Sequence, residues 1–293
     1  MMYRNVDRNL TTSRLPYRLP AYAPVAVLFW IVHGIYRIQA GGHPHFADVL
    51  LPILLFAPWL IHSRFWRRIV CTGTYFMVYY VAFLPVLDDI MVRADWSSIP
   101  RLETWLFRGI QPVNIIQEYR TMYLNVFFCI GYSLHIMNVV LPLLYLLIRR
   151  KWRDSDGFVS AFLACGYLGF TVYSLFPVVP PRLALPDVAA VIPPWAGGTW
   201  QEAGEIFRAN PYAAMPSLHC AFPFLSFLYL RWRRYALSWV FLFMSIWLFI
   251  GTVYLGEHYV LDVLGGIFIA VLGFSVMRLF SIFIADSTLD NRQ

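Results

Sequence analysis

The chain has 293 residues, of which 59% are hydrophobic and 13% are charged, and its mean hydropathy is +0.59. Soluble domains carry about a quarter charged residues, so this composition excludes a disordered chain, a coiled coil and an ordinary soluble enzyme. The formal charge of +7 could indicate an acidic partner. However, the basic residues lie between apolar stretches, which favours a membrane protein with no nucleic-acid partner.

Apolar stretches long enough to span a bilayer, about 20 residues each, recur along the chain. Six stretches are strong, and two, residues 46–62 and 215–230, are weaker. The six strong stretches are residues 21–40, 68–87, 122–148, 158–177, 236–255 and 258–284. The expected fold is therefore all-α: a polytopic membrane helical bundle with about eight transmembrane helices.

Every second connection between these stretches contains a basic cluster. The remaining connections have charges of mixed sign or carry little positive charge. The clusters are Arg4 to Arg18, Arg64 to Arg68, Arg149 to Arg153 and Arg231 to Arg234. Cytoplasmic loops of membrane proteins carry the excess of Lys and Arg. We therefore expect cytoplasmic termini, with segments 88–121 and 178–214 on the outer side of a bacterial inner membrane.

We expect residues 1–293 to form a single membrane domain. Within it, 1–120 would hold the N-terminal spans and an outer interfacial segment, and 121–285 a catalytic helical core. Apolar side chains such as Trp105 and Ile110 lie among charges, as in a helix on the membrane surface. Segment 178–214 is rich in Pro, Gly and Trp and is expected to form a long outer loop.

Polar residues collect at the outer ends of three spans. The clusters are Phe176–Arg182, Ala214–His219 and Tyr254–Asp262. A charge at the bilayer centre costs at least about 2.5 kcal/mol, so charged groups near spans carry information about function. The topology derived from the arginines places all three clusters on one face of the membrane, which predicts a single site.

The residue types in these clusters suit phosphoryl transfer. His258 and Asp262 are four residues apart, so on a helix the carboxylate could fix the tautomer of the imidazole and leave Nε2 as a nucleophile. His219 could protonate a leaving oxygen. The guanidinium of Arg182 and the hydroxyl of Ser217 are candidate phosphate donors.

Other interpretations of these residues remain open. A His–Asp pair with this spacing is more often a hydrogen bond that satisfies a helix end. A metal site would need a third ligand, and Glu257 would point about 100° away from His258 on a helix, so no metal is expected. His135 and Asn138 are interpreted as hydrogen-bonding groups between helices.

The three clusters resemble the motifs of the membrane-bound type 2 phosphatidic acid phosphatase superfamily, which also contains vanadium haloperoxidases. The matching segments are Pro180–Arg182, Pro216–His219 and Val253–Asp262, and the resemblance covers about residues 158–275. The sequence departs from the common pattern at Leu175, Leu218 and Thr252. With these departures it is similar to the branch containing inositol phosphorylceramide synthase.

This resemblance implies a bundle like that of the superfamily, a phosphohistidine on His258 oriented by Asp262, and His219 as general acid. Arg182 and Ser217 would bind the phosphoryl oxygens, and no metal or other cofactor is required. The implied activity is transfer of a phosphoryl or phosphoalcohol headgroup from a membrane lipid to a lipid or sugar alcohol. The alternatives are a lipid phosphate or isoprenoid pyrophosphate phosphatase that uses water, and a non-catalytic lipid-binding or transport protein.

The outer segment 88–121 could contribute contacts to an alcohol co-substrate. Its candidate residues are Asp88, Asp89, Arg93 and Arg120. A solvated interfacial face is the favoured interpretation of these charges.

Overall fold

The computed structural model describes residues 21–39, 46–61, 63–83, 87–191 and 212–286. Within these ranges the chain is all-helical, with short extended segments that pair only through isolated bridges. The helices are α1 (Ala23–Gln39), α2 (Phe46–Phe56), α3 (Arg64–Phe83), α4 (Leu87–Arg93), α5 (Ser98–Leu106), α6 (Pro112–Glu118), α7 (Met122–Ser133), α8 (Met137–Ile148), α9 (Trp152–Leu175), α10 (Pro181–Ala184), α11 (Leu218–Trp232), α12 (Ser238–Tyr254) and α13 (Val260–Asp286). A short 3₁₀ helix, Ala57–Leu60, follows α2.

Two of the helices in the described ranges, α9 and α13, are long and apolar enough to cross a membrane. Helices α7 and α8 would together form a third span, bent by 50°. Helices α1 and α12 are apolar but have only 17 residues each. The weaker stretches are shorter still, because α2 ends at Phe56 and α11 has 15 residues. All-helical architecture is thus confirmed, and the number of spans remains a prediction.

Helix α9 is the centre of the bundle and contacts α1, α3, α8, α11 and α13. Its aromatic side chains interlock with those of neighbouring helices: the rings of Tyr75 and Phe170 stack with centroids 4.9 Å apart. Phe29 of α1 packs against Phe170, with ring centroids 5.6 Å apart. Gly166 makes room for this arrangement, since a Cβ there would clash with the ring of Tyr75. The N-terminal helices are therefore joined to the rest of the bundle by one aromatic core.

Small residues let α13 approach its two neighbours closely. A Cβ at Gly273 would lie 2.7 Å from the backbone nitrogen of Cys165 on α9. One at Gly266 would clash with the carbonyl oxygen of Ser217 at the start of α11. In lipid, helices gain little from burying apolar surface against each other, so close contact between small residues is a main source of their attraction.

The N-terminal end of α9, far from the three polar clusters, is fixed by a separate polar network. The carboxylate of Asp154 accepts hydrogen bonds from Arg233 and Tyr235, and its backbone carbonyl accepts one from the hydroxyl of Tyr229. The buried guanidinium of Arg68 donates to Asp156 at 2.8 Å. This network joins α9 to α3 and to the end of α11.

The crossing of α11 and α13 supplies a test of the packing. Gly266→Ala is expected to lower the free energy of unfolding by about 1–3 kcal/mol, because the added methyl group forces the two backbones apart. The matched control is Gly34→Ala on α1, where nothing lies within 4 Å of the new Cβ. That change should be neutral or stabilise by about 0.5–1 kcal/mol through helix propensity. Thermal unfolding in detergent measures both, and equal stabilities of the two variants would contradict the packing described.

Candidate active site

Three extended segments bring the polar clusters together. The backbone nitrogen of Asp95 donates to the carbonyl of Pro177 at 2.8 Å, just after α9. Val178 donates to the carbonyl of Tyr212 at 2.8 Å and accepts from Ala214 at 3.1 Å. The outer segment, the end of α9 and the entry to α11 therefore lie side by side.

The second cluster forms the start of α11. Ser217 is the N-cap, and its hydroxyl oxygen accepts a hydrogen bond from the backbone nitrogen of Cys220 at 3.3 Å. Its own backbone nitrogen donates to the carbonyl of Asp262 at 2.9 Å. The side chain predicted to bind phosphate is fully buried and caps the helix, while His219 projects from the first turn.

The third cluster forms a tight turn between α12 and α13. Gly256 has φ of +74°, a left-handed conformation that glycine adopts at no steric cost. The backbone nitrogens of Glu257 and His258 both donate to the carbonyl of Thr252, at 3.0 and 3.2 Å. Helix α13 begins at Val260, so His258 precedes the helix instead of lying on it as the spacing suggested.

The turn nevertheless brings the predicted pair together. Nδ1 of His258 lies 3.5 Å from Oδ2 of Asp262, and both side chains are buried. That carboxylate oxygen also accepts a hydrogen bond from the backbone nitrogen of Tyr259 at 2.8 Å. The His–Asp separation exceeds the usual N–H···O distance of about 2.9–3.0 Å. Hydrogen bonds of this kind often tighten only when substrate binds.

The two predicted histidines are in direct contact. Nδ1 of His219 lies 3.2 Å from Nε2 of His258, and their ring centroids are 5.4 Å apart. The nitrogen predicted to attack phosphorus thus faces the imidazole predicted to deliver a proton. A phosphorus atom cannot fit between nitrogens at this distance, so substrate binding has to turn one of the rings.

Arg182 lies beside the same turn. Its backbone nitrogen donates to the carbonyl of Gly256 at 3.0 Å, and its Nε donates to Oε1 of Glu257 at 2.8 Å. The guanidinium is therefore held by the residue next to His258. Glu257, considered above only as a metal ligand, orients the predicted phosphate-binding group instead.

Tyr132 and His135, at the break between α7 and α8, are neighbours of the site that the sequence did not assign to it. The ring of Tyr132 stacks on His219 with centroids 4.6 Å apart and an angle of 25°. His135 meets His219 edge-on at 4.5 Å, and its Nδ1 lies 2.7 Å from the carbonyl oxygen of Tyr132. The sequence indicated this neighbourhood only through His135, a polar residue within the expected span 122–148 that is interpreted above as a hydrogen-bonding group between helices.

The residues predicted to contact a co-substrate lie in surroundings that differ from those of the two histidines. The exposed guanidinium of Arg93 sits 5.0 Å above the ring of Tyr36, and Arg120 is exposed after α6. The side chains of Asp88 and Asp89 lie outside the described residues. Among the described residues, no group of three His, Cys, Asp or Glu side chains is placed to hold a metal.

A cavity of about 650 Å³ opens on the outer segment, away from the histidines. It lies between α5, the start of α6 and residues 185–187, which follow α10. Its charged lining residues are Arg101, Arg108 and Asp187. The outer segment therefore has a recess of its own, which includes Trp105 from the expected interfacial helix.

In this bundle with membrane-length helices, two histidines lie in contact; His258 and Asp262 are buried, and His219 is half-buried. Residues 97–276 match the model of the PAP2 superfamily, and because this is more than half of the chain, the chain belongs to that superfamily. The resemblance predicted from the three motifs is thereby confirmed.

One similar relative is the phosphoinositol dihydroceramide synthase of Bacteroides thetaiotaomicron. It is 32% identical over 160 residues, covering 46% of this chain and 50% of the relative. The chain thus spans about half the length of that relative. No solved structure matches the chain. The family and the relative together support an enzyme of lipid phosphoesters.

The stacking of Tyr132 on His219 can be tested by two substitutions. Tyr132→Phe keeps the ring and should keep most of the activity, whereas Tyr132→Ala should lower kcat roughly tenfold or less, the equivalent of one aromatic contact. Steady-state kinetics measures the difference, and KM should change little because the contact orients the ring of His219. Equal losses in both variants would show that the hydroxyl, not the ring, is what matters.

Proposed function

We propose that the protein transfers a phosphoryl or phosphoalcohol headgroup from a membrane lipid to an alcohol through a phosphohistidine on His258. The observation that carries this proposal is the 3.2 Å contact between Nε2 of His258 and Nδ1 of His219. Asp262 lies behind the attacking ring, in a chain of the PAP2 superfamily. Two imidazoles that face each other supply a nucleophile and an acid to one phosphorus.

In the first half-reaction, Nε2 of His258 attacks phosphorus, and a P–N bond forms as the P–O bond to the leaving alcohol breaks. Asp262 accepts the hydrogen bond from Nδ1–H, which keeps Nε2 unprotonated and stabilises the positive charge on the ring. His219 donates its proton to the leaving oxygen. Arg182, held by Glu257, places donors near the phosphoryl oxygens.

In the second half-reaction, an acceptor hydroxyl gives its proton to His219 and its oxygen attacks phosphorus. The P–N bond breaks, so His258 returns to its starting form and His219 is again protonated. No step in this scheme requires a metal or an organic cofactor.

Two features support transfer of a phosphodiester headgroup over hydrolysis of a terminal phosphate. Leu175 and Thr252 stand where the family pattern often has Lys and Arg, so two cationic donors are missing. Leu218, which stands where the family pattern has Gly, packs against Gly169 of α9. A phosphodiester carries less charge than a terminal phosphate and needs fewer cations. The relative named phosphoinositol dihydroceramide synthase supports the same conclusion.

The outer cavity is our candidate site for the polar part of the second substrate. Arg101 and Arg108 line it, and residues 185–187 connect it to Arg182 through α10. Arg93 and Arg120 remain candidate contacts at the edge of the outer segment.

We further propose eight spans with cytoplasmic termini and a site on the outer face of a bacterial inner membrane. The support is the alternation of basic and non-basic connections along the sequence. In this arrangement the headgroup enters the site from the outer leaflet while its tail stays in lipid.

Substitution of each histidine separates their roles. His219→Ala should lower kcat/KM by about 10²–10⁴-fold for an ester that releases an aliphatic alcohol. The loss should be much smaller for a nitrophenyl ester, because nitrophenolate leaves without a proton. His258→Ala should abolish turnover of both substrates while expression and lipid binding are retained. Initial rates with both esters provide the measurement, and an active His258→Ala variant would remove that residue from the mechanism.

Incubation of the purified protein with labelled lipids tests the reaction itself. The panel contains lipid phosphomonoesters and phosphodiesters, each with and without lipid or sugar alcohols. We expect product only from phosphodiesters and only when an alcohol is present, and undiminished turnover in the presence of a chelator. Release of inorganic phosphate without alcohol would establish the phosphatase alternative. Lipid binding with no turnover of any panel member would favour the non-catalytic alternative.

A further inference from the structure

Glu103 is a buried carboxylate that the reaction scheme does not use. It lies on α5 in the outer segment and is 0% exposed. Its Oε1 accepts a hydrogen bond from the backbone nitrogen of Leu261 at 3.2 Å. Its Oε2 is buried and has no hydrogen-bond partner within the described ranges. A buried carboxylate that is only half satisfied is costly, and such a group is usually retained for a reason other than packing.

The hydrogen bond from Leu261 places Glu103 at the first turn of α13. The first backbone nitrogens of a helix have no partner within it, and the same end carries partial positive charge. Here two carboxylates from different parts of the chain share that end. Asp262 accepts from Tyr259, and Glu103 accepts from Leu261. His258 is the residue immediately before this capped turn.

Helix α5 is itself fixed against the same region. Oδ1 of Asp95 accepts hydrogen bonds from the backbone nitrogens of Ser97 and Ser98, at 3.0 and 2.9 Å, and so holds the start of α5. Ile99 belongs to a buried cluster that also contains Tyr259. The position of Glu103 is therefore determined by the hydrogen bonds of Asp95 at the start of α5 and by the packing of Ile99 in the cluster that contains Tyr259.

From this geometry we propose that Glu103 is a positioning residue: it fixes the first turn of α13 and thereby holds Asp262 and the ring of His258 in place for reaction. The role rests on the proposed function of that pair. It makes the outer segment part of the active-site scaffold and not only an interfacial support. The ionised carboxylate is the stronger acceptor for the Leu261 N–H, and its charge favours the positive charge that develops on His258.

The charge state of Glu103 is sensitive to pH near neutrality. Burial raises its pKa to about 7, the hydrogen bonds from Leu261 and Val260 oppose this, and the charge of Asp262 adds to the rise. The titratable neighbours of Glu103 are Asp262 on α13 and Tyr259 before α13, and Tyr259 in turn is near Asp95 before α5. The active, ionised form therefore becomes populated as the pH rises through about 7.

The kinetic test compares pH profiles of kcat for the wild type, Glu103→Gln and Glu103→Ala. Glu103→Gln keeps an acceptor oxygen but no charge. It should lose the rise near pH 7 and turn over about 3- to 10-fold more slowly at pH 8, with KM nearly unchanged. Glu103→Ala also loses the acceptor and should be about 10- to 100-fold slower at every pH. The control is Glu118→Gln, an exposed glutamate on α6, which should match the wild type.

A second measurement does not depend on turnover. In hydrogen exchange followed by mass spectrometry, the peptide that contains Leu261 should exchange faster in Glu103→Ala than in the wild type, because the Leu261 N–H loses its acceptor.

The pH dependence of the stability provides a third measurement. A carboxyl whose pKa is raised by folding favours the folded state below its ordinary pKa of 4.5 and loses this contribution as the pH rises through about 7. The melting temperature of the wild type should therefore fall from pH 5 to pH 8, and that of Glu103→Gln should fall less.

The outcomes separate this inference from the proposed function. If the wild type turns over no substrate of the panel, the proposed function fails, and exchange at Leu261 still decides whether Glu103 holds α13. If the wild type is active, unchanged pH profiles in Glu103→Gln together with wild-type exchange in Glu103→Ala overturn the positioning role.

Discussion

The active-site geometry depends on one close backbone contact, the crossing of α11 and α13 at Ser217 and Gly266. Because Gly266 has no side chain, the carbonyl of Ser217 lies against α13, and the backbone nitrogen of Ser217 reaches the carbonyl of Asp262 at 2.9 Å. His219 lies two residues after Ser217, at the start of α11. His258 lies four residues before Asp262, just ahead of α13. Their nitrogens meet because the two backbones meet.

The site concentrates negative charge where the helix supplies positive potential. Asp262 and Glu103 both accept hydrogen bonds from the first turn of α13, whose free N–H groups offset part of the cost of burying carboxylates. Arg182 is paired with Glu257, the residue before His258 in sequence, and is mostly buried. In the proposed mechanism, the two carboxylates would stabilise the positive charge that develops on His258, and Arg182 would supply a cation to the phosphoryl oxygens.

The surroundings of His219 are aromatic instead of charged. Tyr132 stacks on the ring and His135 meets it edge-on, both from the break where α7 bends into α8. A bent span allows two side chains of one segment to reach the same imidazole. It also surrounds the proposed general acid with aromatic rings.

The sequence by itself determined the class of fold, the three motif segments and the identity of the His–His–Asp set, because hydropathy and short-range spacing are local properties. It also predicted that these segments share one face, since basic clusters report on topology. Only the tertiary structure decided which side chains surround the set. Ser217 caps a helix and Glu257 orients Arg182. Tyr132 stacks on His219 and Glu103 accepts from Leu261, each from more than 80 residues away in sequence. These contacts follow from how closely the helices pack and where each one bends, which depends on all neighbouring segments at once and leaves no periodic pattern along the chain.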